Sequence, residues 1–179
     1  FISAVINSFL KDFFQDPRPP TEFMLDKGTG MSYGWPSGHA QIAVTLWGLL
    51  AYELRNKFVT LSAIVFISLV SFSRMYLGVH DLGDVFAGLT IGCFILLIWH
   101  YAILYNFYEK FSSRSWFLIV LTFQLIAYLL YPTHEGHEIS FWLLGAMAGW
   151  FLGASNINIS TNKIFKFLIS ALSLSLIHI

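Results

Sequence analysis

Charged residues are scarce in this sequence. Ten Lys and Arg and ten Asp and Glu make up 11% of its 179 residues, whereas soluble domains contain about 25% charged residues. Hydrophobic residues account for 56% of the chain. This composition argues against a soluble domain and predicts a protein whose solvent is the lipid bilayer. Because the formal net charge is zero, no bulk electrostatic attraction favours nucleic acid, and we expect no nucleic-acid partner.

Cysteine and targeting signals are also nearly absent. Cys93 is the single cysteine, which excludes an internal disulfide and a cysteine-based metal site. No segment shows the basic, apolar and small-residue pattern of a signal peptide. The sequence begins at Phe1 and stops at Ile179 inside apolar segments, so we expect both ends to be truncated.

Long apolar segments dominate what is present. A membrane-spanning helix needs about 20 mainly apolar residues. Apolar segments cover residues 1–10, 38–54, 58–73, 82–105, 115–131, 139–155 and 164–179. Most come close to this length, and we expect the first and last to be partial helices. The predicted fold class is therefore all-α, a polytopic transmembrane helical bundle.

The polar connections between these segments alternate between the two faces of the membrane. Residues 11–36, 74–84 and 132–138 share one face, with four Lys and Arg against eight Asp and Glu. The opposite face carries six Lys and Arg against two Asp and Glu, and the positive-inside rule makes it cytoplasmic. We expect an integral membrane protein of the bacterial inner membrane with residues 11–36 on the periplasmic side. An endoplasmic reticulum protein with a lumenal site is the alternative.

Two polar clusters on the non-cytoplasmic face are suited to binding phosphate. Lys11 and Arg18 place two cations in one connection, and the prolines after Arg18 keep the backbone extended. Ser37, Gly38 and His39 lie where the same connection enters an apolar helix. Helix N-termini bind phosphate through their amides, Ser37 can act as the N-cap, and Gly38 lets a ligand approach the backbone.

A third cluster contains Arg74, His80 and Asp84. If a helix begins at His80, Asp84 lies on the same face four residues later, where a carboxylate can orient the imidazole. His80 would then attack phosphorus, and His39 would protonate the departing oxygen and later activate water. Lys11, Arg18 and Arg74 could stabilise the phosphoryl charge without a metal.

Together the three clusters resemble the signature motifs of the type 2 phosphatidic acid phosphatase superfamily, in its membrane lipid phosphatase branch. The motifs, in order, are Lys11 with Arg18-Pro19, Pro36-Ser37-Gly38-His39, and Ser73-Arg74 with His80 and Asp84. The resemblance covers residues 1–105 as a phosphatase core lacking N-terminal helices, and 106–179 would be additional C-terminal transmembrane helices.

The resemblance implies a role for each motif residue and no cofactor or metal. His39 is implied as general acid, and His80 with Asp84 as nucleophile and supporting carboxylate. The implied phosphate-binding residues are Lys11, Arg18, Ser37, Gly38 and Arg74.

The expected activity is hydrolysis of a lipid phosphate or polyprenyl pyrophosphate that enters from the bilayer. A phosphotransferase using the same phosphohistidine and a non-catalytic lipid-binding membrane protein are the alternatives. The segment 134–138, with two His and two Glu, is interpreted as a solvated connection, with a metal or headgroup contact as the alternative. No motif specifies the lipid or an oligomeric state.

Overall fold

The computed structural model describes residues 2–26 and 32–130 together with Gly145, and all regular structure in these ranges is helical. The helices are α1 (Ile2–Phe14), α2 (Gly38–Leu54), α3 (Lys57–Tyr76), α4 (Leu82–Leu104) and α5 (Ser113–Leu130), with 3-10 turns at Thr21–Phe23 and Phe107–Lys110. The all-α prediction is confirmed. Apart from Gly145, the expected segments 139–155 and 164–179 lie outside the described residues.

Two of these helices, α3 and α4, are long and apolar enough to cross a membrane. The chain divides into two compact units, Phe1–Tyr108 and Glu109–Ile179. The first unit contains α1 to α4. In the second, the Ser115 amide donates to the Ser112 hydroxyl at 3.2 Å and so caps the start of α5.

Helix α2 is the central element of the first unit and contacts α1, α3 and α4. Its contact with α4 is close because Gly88 and Gly92 remove two side chains from the interface. A Cβ at Gly88 would lie 2.4 Å from the Ser37 carbonyl oxygen, and one at Gly92 would lie 2.7 Å from the Val44 Cβ. Small residues four positions apart allow membrane helices to approach in this way.

Two helix boundaries differ from the prediction. Helix α1 continues through Lys11 to Phe14, because the first residue that blocks a helix is Pro17, and the chain leaves the helix at Gln15 with φ 51°. Helix α3 continues through Arg74 to Tyr76. Lys11 and Arg74 therefore lie in the last turns of helices and not in connections.

The short connections have local explanations. Between α2 and α3, Arg55 adopts a left-handed conformation and the Asn56 side chain accepts hydrogen bonds from the amides of Phe58 (2.8 Å) and Val59 (3.4 Å). These contacts end one helix and cap the next. The apolar segments 38–54 and 58–73 predict a short connection at this point, and the structure confirms it.

The long connection after α1 folds against the connection between α3 and α4. The Leu25 amide donates to the Leu77 carbonyl at 3.0 Å, and the Ser37 amide donates to the Asp84 carbonyl at 2.9 Å. Gly78 has φ +68°, and a Cβ there would lie 2.3 Å from the Phe23 carbonyl oxygen. Both connections therefore lie at one end of the first unit, as the alternation of segments predicts.

Gly88→Ala should destabilise the protein, because the added methyl group requires α4 to move away from the Ser37 carbonyl. We expect the free energy of unfolding to fall by about 1–3 kcal/mol, as for other overpacked interfaces. Thermal unfolding in detergent measures the change. Cys93→Val, on an exposed position of the same helix, is the control and should stay within about 0.5 kcal/mol. Equal effects of the two substitutions would contradict the close α2–α4 contact.

Candidate active site

His80 and Asp84 form a buried pair at the start of α4. The His80 Nδ1 lies 2.9 Å from the Asp84 Oδ2, and the two residues are 4% and 2% exposed. The same Oδ2 accepts the Asp81 amide at 3.2 Å, and the Asp81 carboxylate accepts the Asp84 amide at 2.8 Å. These two bonds form a capping box around the first turn of α4.

The expected contact between His80 and Asp84 is therefore present, but the expected cause is wrong. Helix α4 begins at Leu82 and not at His80, because Asp81 is the extended N-cap residue. His80 lies outside the helix, and the capping box, not a shared helix face, brings Asp84 back to the imidazole.

The side chains of Lys11 and Arg18 are held near this pair by hydrogen bonds to backbone carbonyls. The Lys11 ammonium is buried and donates to the carbonyls of Tyr33 and Gly34. The Arg18 guanidinium donates through Nη1 to the Val79 carbonyl at 3.1 Å, directly before His80. Two cations thus lie beside the imidazole.

The pKa of His80 is set by this environment. Burial lowers it below the usual value of 6.5, the hydrogen bond to Asp84 raises it in part, and the charges of Arg18 and Lys11 lower it further. The net direction is downward, so the ring stays neutral at neutral pH. In the neutral tautomer that donates from Nδ1 to the carboxylate, the lone pair lies on Nε2.

Ser37 occupies the N-cap position of α2, as predicted, but its side chain makes no capping hydrogen bond. Its hydroxyl oxygen is buried and has no hydrogen-bond partner within the described part of the chain. Since α2 begins at Gly38, the amides of its first turn lack intrahelical acceptors. His39 lies in this turn and is exposed.

Gly38 is needed for a reason that differs from the expected one. A Cβ at this position would lie 2.8 Å from the Asn7 Oδ1, so the glycine permits contact between α1 and α2. A role for Gly38 in binding phosphate stays a prediction.

Arg74 is held near the site by its backbone. Its carbonyl accepts the Val79 amide at 3.2 Å, whereas its guanidinium Nε donates to the hydroxyl of its neighbour Ser73 at 3.3 Å. The contacts therefore join Lys11, Arg18, Ser37, His80 and Asp84. His39 and Arg74 lie in the adjoining end turns of α2 and α3.

Gly34 is a site residue that the sequence motifs do not include. Its carbonyl accepts the Lys11 ammonium at 3.1 Å, and its amide donates to the Asp16 carbonyl at 2.8 Å. A Cβ here would lie 3.1 Å from the Asp84 Oδ2. Because Gly34 has no side chain, this part of the connection can pass directly over the Asp84 carboxylate.

Asn7 and Gln41 are two further residues that the motifs do not include. They are 6% and 0% exposed and hydrogen-bonded to each other at 2.9 Å. Polar residues recur every fourth position on α1 (Ser3, Asn7, Lys11) and from the N-cap into α2 (Ser37, Gln41, Thr45). This spacing places the polar residues on one face of otherwise apolar helices, and it could have indicated Asn7 and Gln41 as buried polar residues near the site.

His100 lies away from these contacts. It is near the end of α4, and its Nδ1 lies 3.0 Å from the Tyr52 hydroxyl. The 134–138 segment lies outside the described residues.

The geometry agrees with the comparison to known families, in which the model of the PAP2 superfamily matches residues 1–108. The chain belongs to the PAP2 superfamily. It is 30% identical over 167 residues to lipid phosphate phosphatase delta of Arabidopsis thaliana, covering 83% of this chain and 40% of that protein. It is also 30% identical over 103 residues to phosphatidylglycerophosphatase B of Bacillus subtilis, covering 52% of this chain and 49% of that protein.

A solved structure supports the same assignment. The crystal structure of a transmembrane PAP2 type phosphatidylglycerolphosphate phosphatase from Bacillus subtilis matches with a TM-score of 0.50 and 29% identity, over 63% of this chain and 56% of that one. The chain spans less than half the length of the two relatives named above. The chain is a membrane protein, because it belongs with these relatives and has two apolar helices long enough to span a bilayer.

The environment of His80 can be tested by histidine-selective NMR titration of the full-length protein in detergent. We expect its pKa to lie below 6.5. Lys11→Met should raise that pKa because a cation that disfavours the imidazolium is lost. Asp84→Asn should lower it further because the hydrogen bond that favours the imidazolium is weakened.

Lys57→Met is the matched control, because Lys57 is exposed in the first turn of α3, at the other end of that helix from Arg74. It should leave the titration of His80 unchanged. A wild-type pKa at or above 6.5, or shifts of the opposite sign in the two site variants, would contradict the buried cationic environment.

Proposed function

We propose that this protein is a membrane phosphatase that hydrolyses a lipid phosphate or polyprenyl pyrophosphate through a phosphohistidine, without a metal. The observation that carries the proposal is the buried His80–Asp84 pair at 2.9 Å beside the cations Lys11 and Arg18. Membership of the PAP2 superfamily and the names of the phosphatase relatives support it.

In the first step, the neutral imidazole acts as nucleophile. The Nδ1–H of His80 donates to Asp84, so the lone pair on Nε2 attacks phosphorus while the bond from phosphorus to the lipid oxygen breaks. The new P–Nε2 bond leaves positive charge on the ring, and the Asp84 carboxylate stabilises it.

The phosphoryl oxygens need positive charge and hydrogen-bond donors in the transition state. Lys11 and Arg18 supply charge, and the first-turn amides of α2 supply donors at the positive end of a helix dipole. A phosphoryl oxygen bound at this helix end would also give the buried Ser37 hydroxyl a partner, which a buried polar group requires. We assign Arg74 to the same anion site.

His39 completes the cycle from the exposed first turn of α2. As general acid it gives its proton to the departing lipid oxygen. It then takes a proton from water, whose oxygen attacks phosphorus as the P–Nε2 bond breaks. Inorganic phosphate leaves, and both histidines return to their starting protonation states.

A lipid substrate fits the surroundings of the site. The motif residues lie at the ends of apolar helices, and Phe14 and Trp35, with ring centroids 4.5 Å apart, flank the connection between them. Aromatic residues favour the headgroup level of a bilayer. We place the site on the non-cytoplasmic face, in a bacterial inner membrane, with an endoplasmic reticulum membrane as the alternative.

Phosphate release by the full-length protein in detergent with EDTA tests the proposal. The substrates are phosphatidic acid, phosphatidylglycerol phosphate, sphingosine phosphate, lipid A and undecaprenyl pyrophosphate. We expect release from at least one of them, and His80→Ala should lower kcat/KM by at least about 10³-fold because the nucleophile is lost.

His100→Gln is the control, because His100 and Asp84 lie about 24 Å apart along α4, and it should retain wild-type activity. Activity that is lost with EDTA, or that persists in His80→Ala, would rule out the metal-free histidine mechanism. Attention would then turn to the 134–138 segment as a metal site.

The covalent intermediate can be sought directly. Undecaprenyl pyrophosphate labelled in its terminal phosphate is suited to this. Its leaving group, undecaprenyl phosphate, departs with little need for protonation, so the first step can proceed without His39. His39→Ala should accumulate an acid-labile, alkali-stable label on the protein, since water is no longer activated. His80→Ala should carry none.

The same label separates hydrolysis from transfer when a second lipid alcohol is added. Label in free phosphate supports the hydrolase, and label on the second lipid supports the phosphotransferase. Absence of protein-bound label in an active His39→Ala variant would contradict the intermediate.

A further inference from the structure

The amides of Asn7 and Gln41 form a hydrogen-bonded pair between α1 and α2, outside the three motifs. Burial of an amide away from water is unfavourable unless its donors and acceptors are paired. In this pair the Asn7 Nδ2 donates both to the Gln41 Oε1 at 2.9 Å and to the Pro36 carbonyl at 3.1 Å. The Gln41 Nε2 donates to the Ser3 carbonyl at 2.7 Å.

The direction of these hydrogen bonds is fixed by chemistry. The Pro36 carbonyl can only accept, so Asn7 must present its NH₂ group to it. Gln41 must then turn its oxygen toward Asn7 and its NH₂ group toward Ser3. One orientation of each amide satisfies the whole set.

The pair holds the backbone of the phosphate-binding motif. Pro36 directly precedes Ser37, whose amide donates to the Asp84 carbonyl at 2.9 Å. The peptide group between Pro36 and Ser37 is therefore hydrogen-bonded on both sides. Its carbonyl accepts from Asn7 of α1 and its amide donates to Asp84 of α4. Asn7 also faces Gly38, where a Cβ would lie 2.8 Å from its Oδ1.

We propose that Asn7 and Gln41 are positioning residues that orient the Ser37 hydroxyl and the first-turn amides of α2 toward the phosphoryl group. Lys11 follows Asn7 by four residues on the same face of α1, and its ammonium is held separately by the carbonyls of Tyr33 and Gly34. The inference rests on the proposed function, because it concerns the same phosphate site.

The test compares Asn7→Leu with Thr45→Val in the full-length protein. Leu has the branched shape of Asn and the same number of side-chain heavy atoms, with larger methyl groups, but it cannot donate a hydrogen bond to the Pro36 carbonyl. Thr45 belongs to the same polar cluster, with its hydroxyl 3.4 Å from the Ser3 hydroxyl, one turn of α2 farther from Pro36. Inhibition by vanadate, an oxyanion that resembles the phosphoryl transition state, is the key measurement.

We expect Asn7→Leu to lower kcat/KM by about 10- to 100-fold and to raise the Ki for vanadate by a similar factor. Gln41→Leu should have a smaller effect, and the double variant should be no worse than Asn7→Leu, because both act through one contact. Thr45→Val should stay within about twofold of wild type in both quantities.

A merely structural role predicts a different result. Loss of folded protein reduces the active fraction and therefore kcat, but it leaves KM and the Ki of the surviving molecules unchanged. An unchanged Ki in Asn7→Leu, or equal effects of Asn7→Leu and Thr45→Val, would overturn the inference.

Failure of the proposed function would be recognised separately. Vanadate binding can be followed by protection against thermal unfolding, which needs no turnover. A wild-type protein that binds vanadate but releases phosphate from none of the lipids would refute the function, and the vanadate affinities of the variants would still decide the inference. Absence of vanadate binding by the wild type would overturn both.

Discussion

Helices α2 and α4 approach so closely at Gly88 and Gly92 that the backbone and Val44 of α2 fill the space of the two missing side chains. This contact places the first turn of α2 beside the first turn of α4, so the Ser37 amide can reach the Asp84 carbonyl. The turn that we propose binds phosphate and the residue whose carboxylate contacts His80 thus share one backbone hydrogen bond. Every other part of the site is arranged around this junction.

The electrostatics of the site serve two purposes at once. Lys11 and Arg18 are held by backbone carbonyls beside His80, and in the proposed mechanism they also bind the anionic substrate. The same charges, together with burial, lower the pKa of His80 and keep the imidazole neutral. An anion bound at these cations would offset their effect on the ring, so the proposed mechanism couples substrate binding to the protonation of His80.

The sequence predicts the helices and the motif residues well because both depend on local patterns. Long apolar segments define α2 and α4 nearly to the residue, and the three motifs mark the ends of helices. The contact between His80 and Asp84 was predicted from a helical interval, whereas a capping box around Asp81 produces it; the two arrangements have the same sequence spacing. Only the backbone conformation at Asp81 distinguishes them.

The contacts that the sequence did not reveal join residues far apart in the chain. Asn7 meets Pro36 and Gln41 across 29 and 34 positions, and the close passage of Gly34 over Asp84 depends on the fold of the whole connection. The polar spacing on α1 shows that these side chains face inward, but it does not identify their partners. Such pairings follow from tertiary packing.

The Asp84 Oδ2 accepts hydrogen bonds from both the His80 ring and the Asp81 amide. One oxygen atom therefore orients the imidazole that we propose as the nucleophile and also closes the first turn of α4. Helix ends open more readily than helix centres, and opening of this single turn would release the imidazole while the rest of the helices stay packed. The heat resistance of the activity would then report the local stability of one helical turn and not the melting of the whole protein.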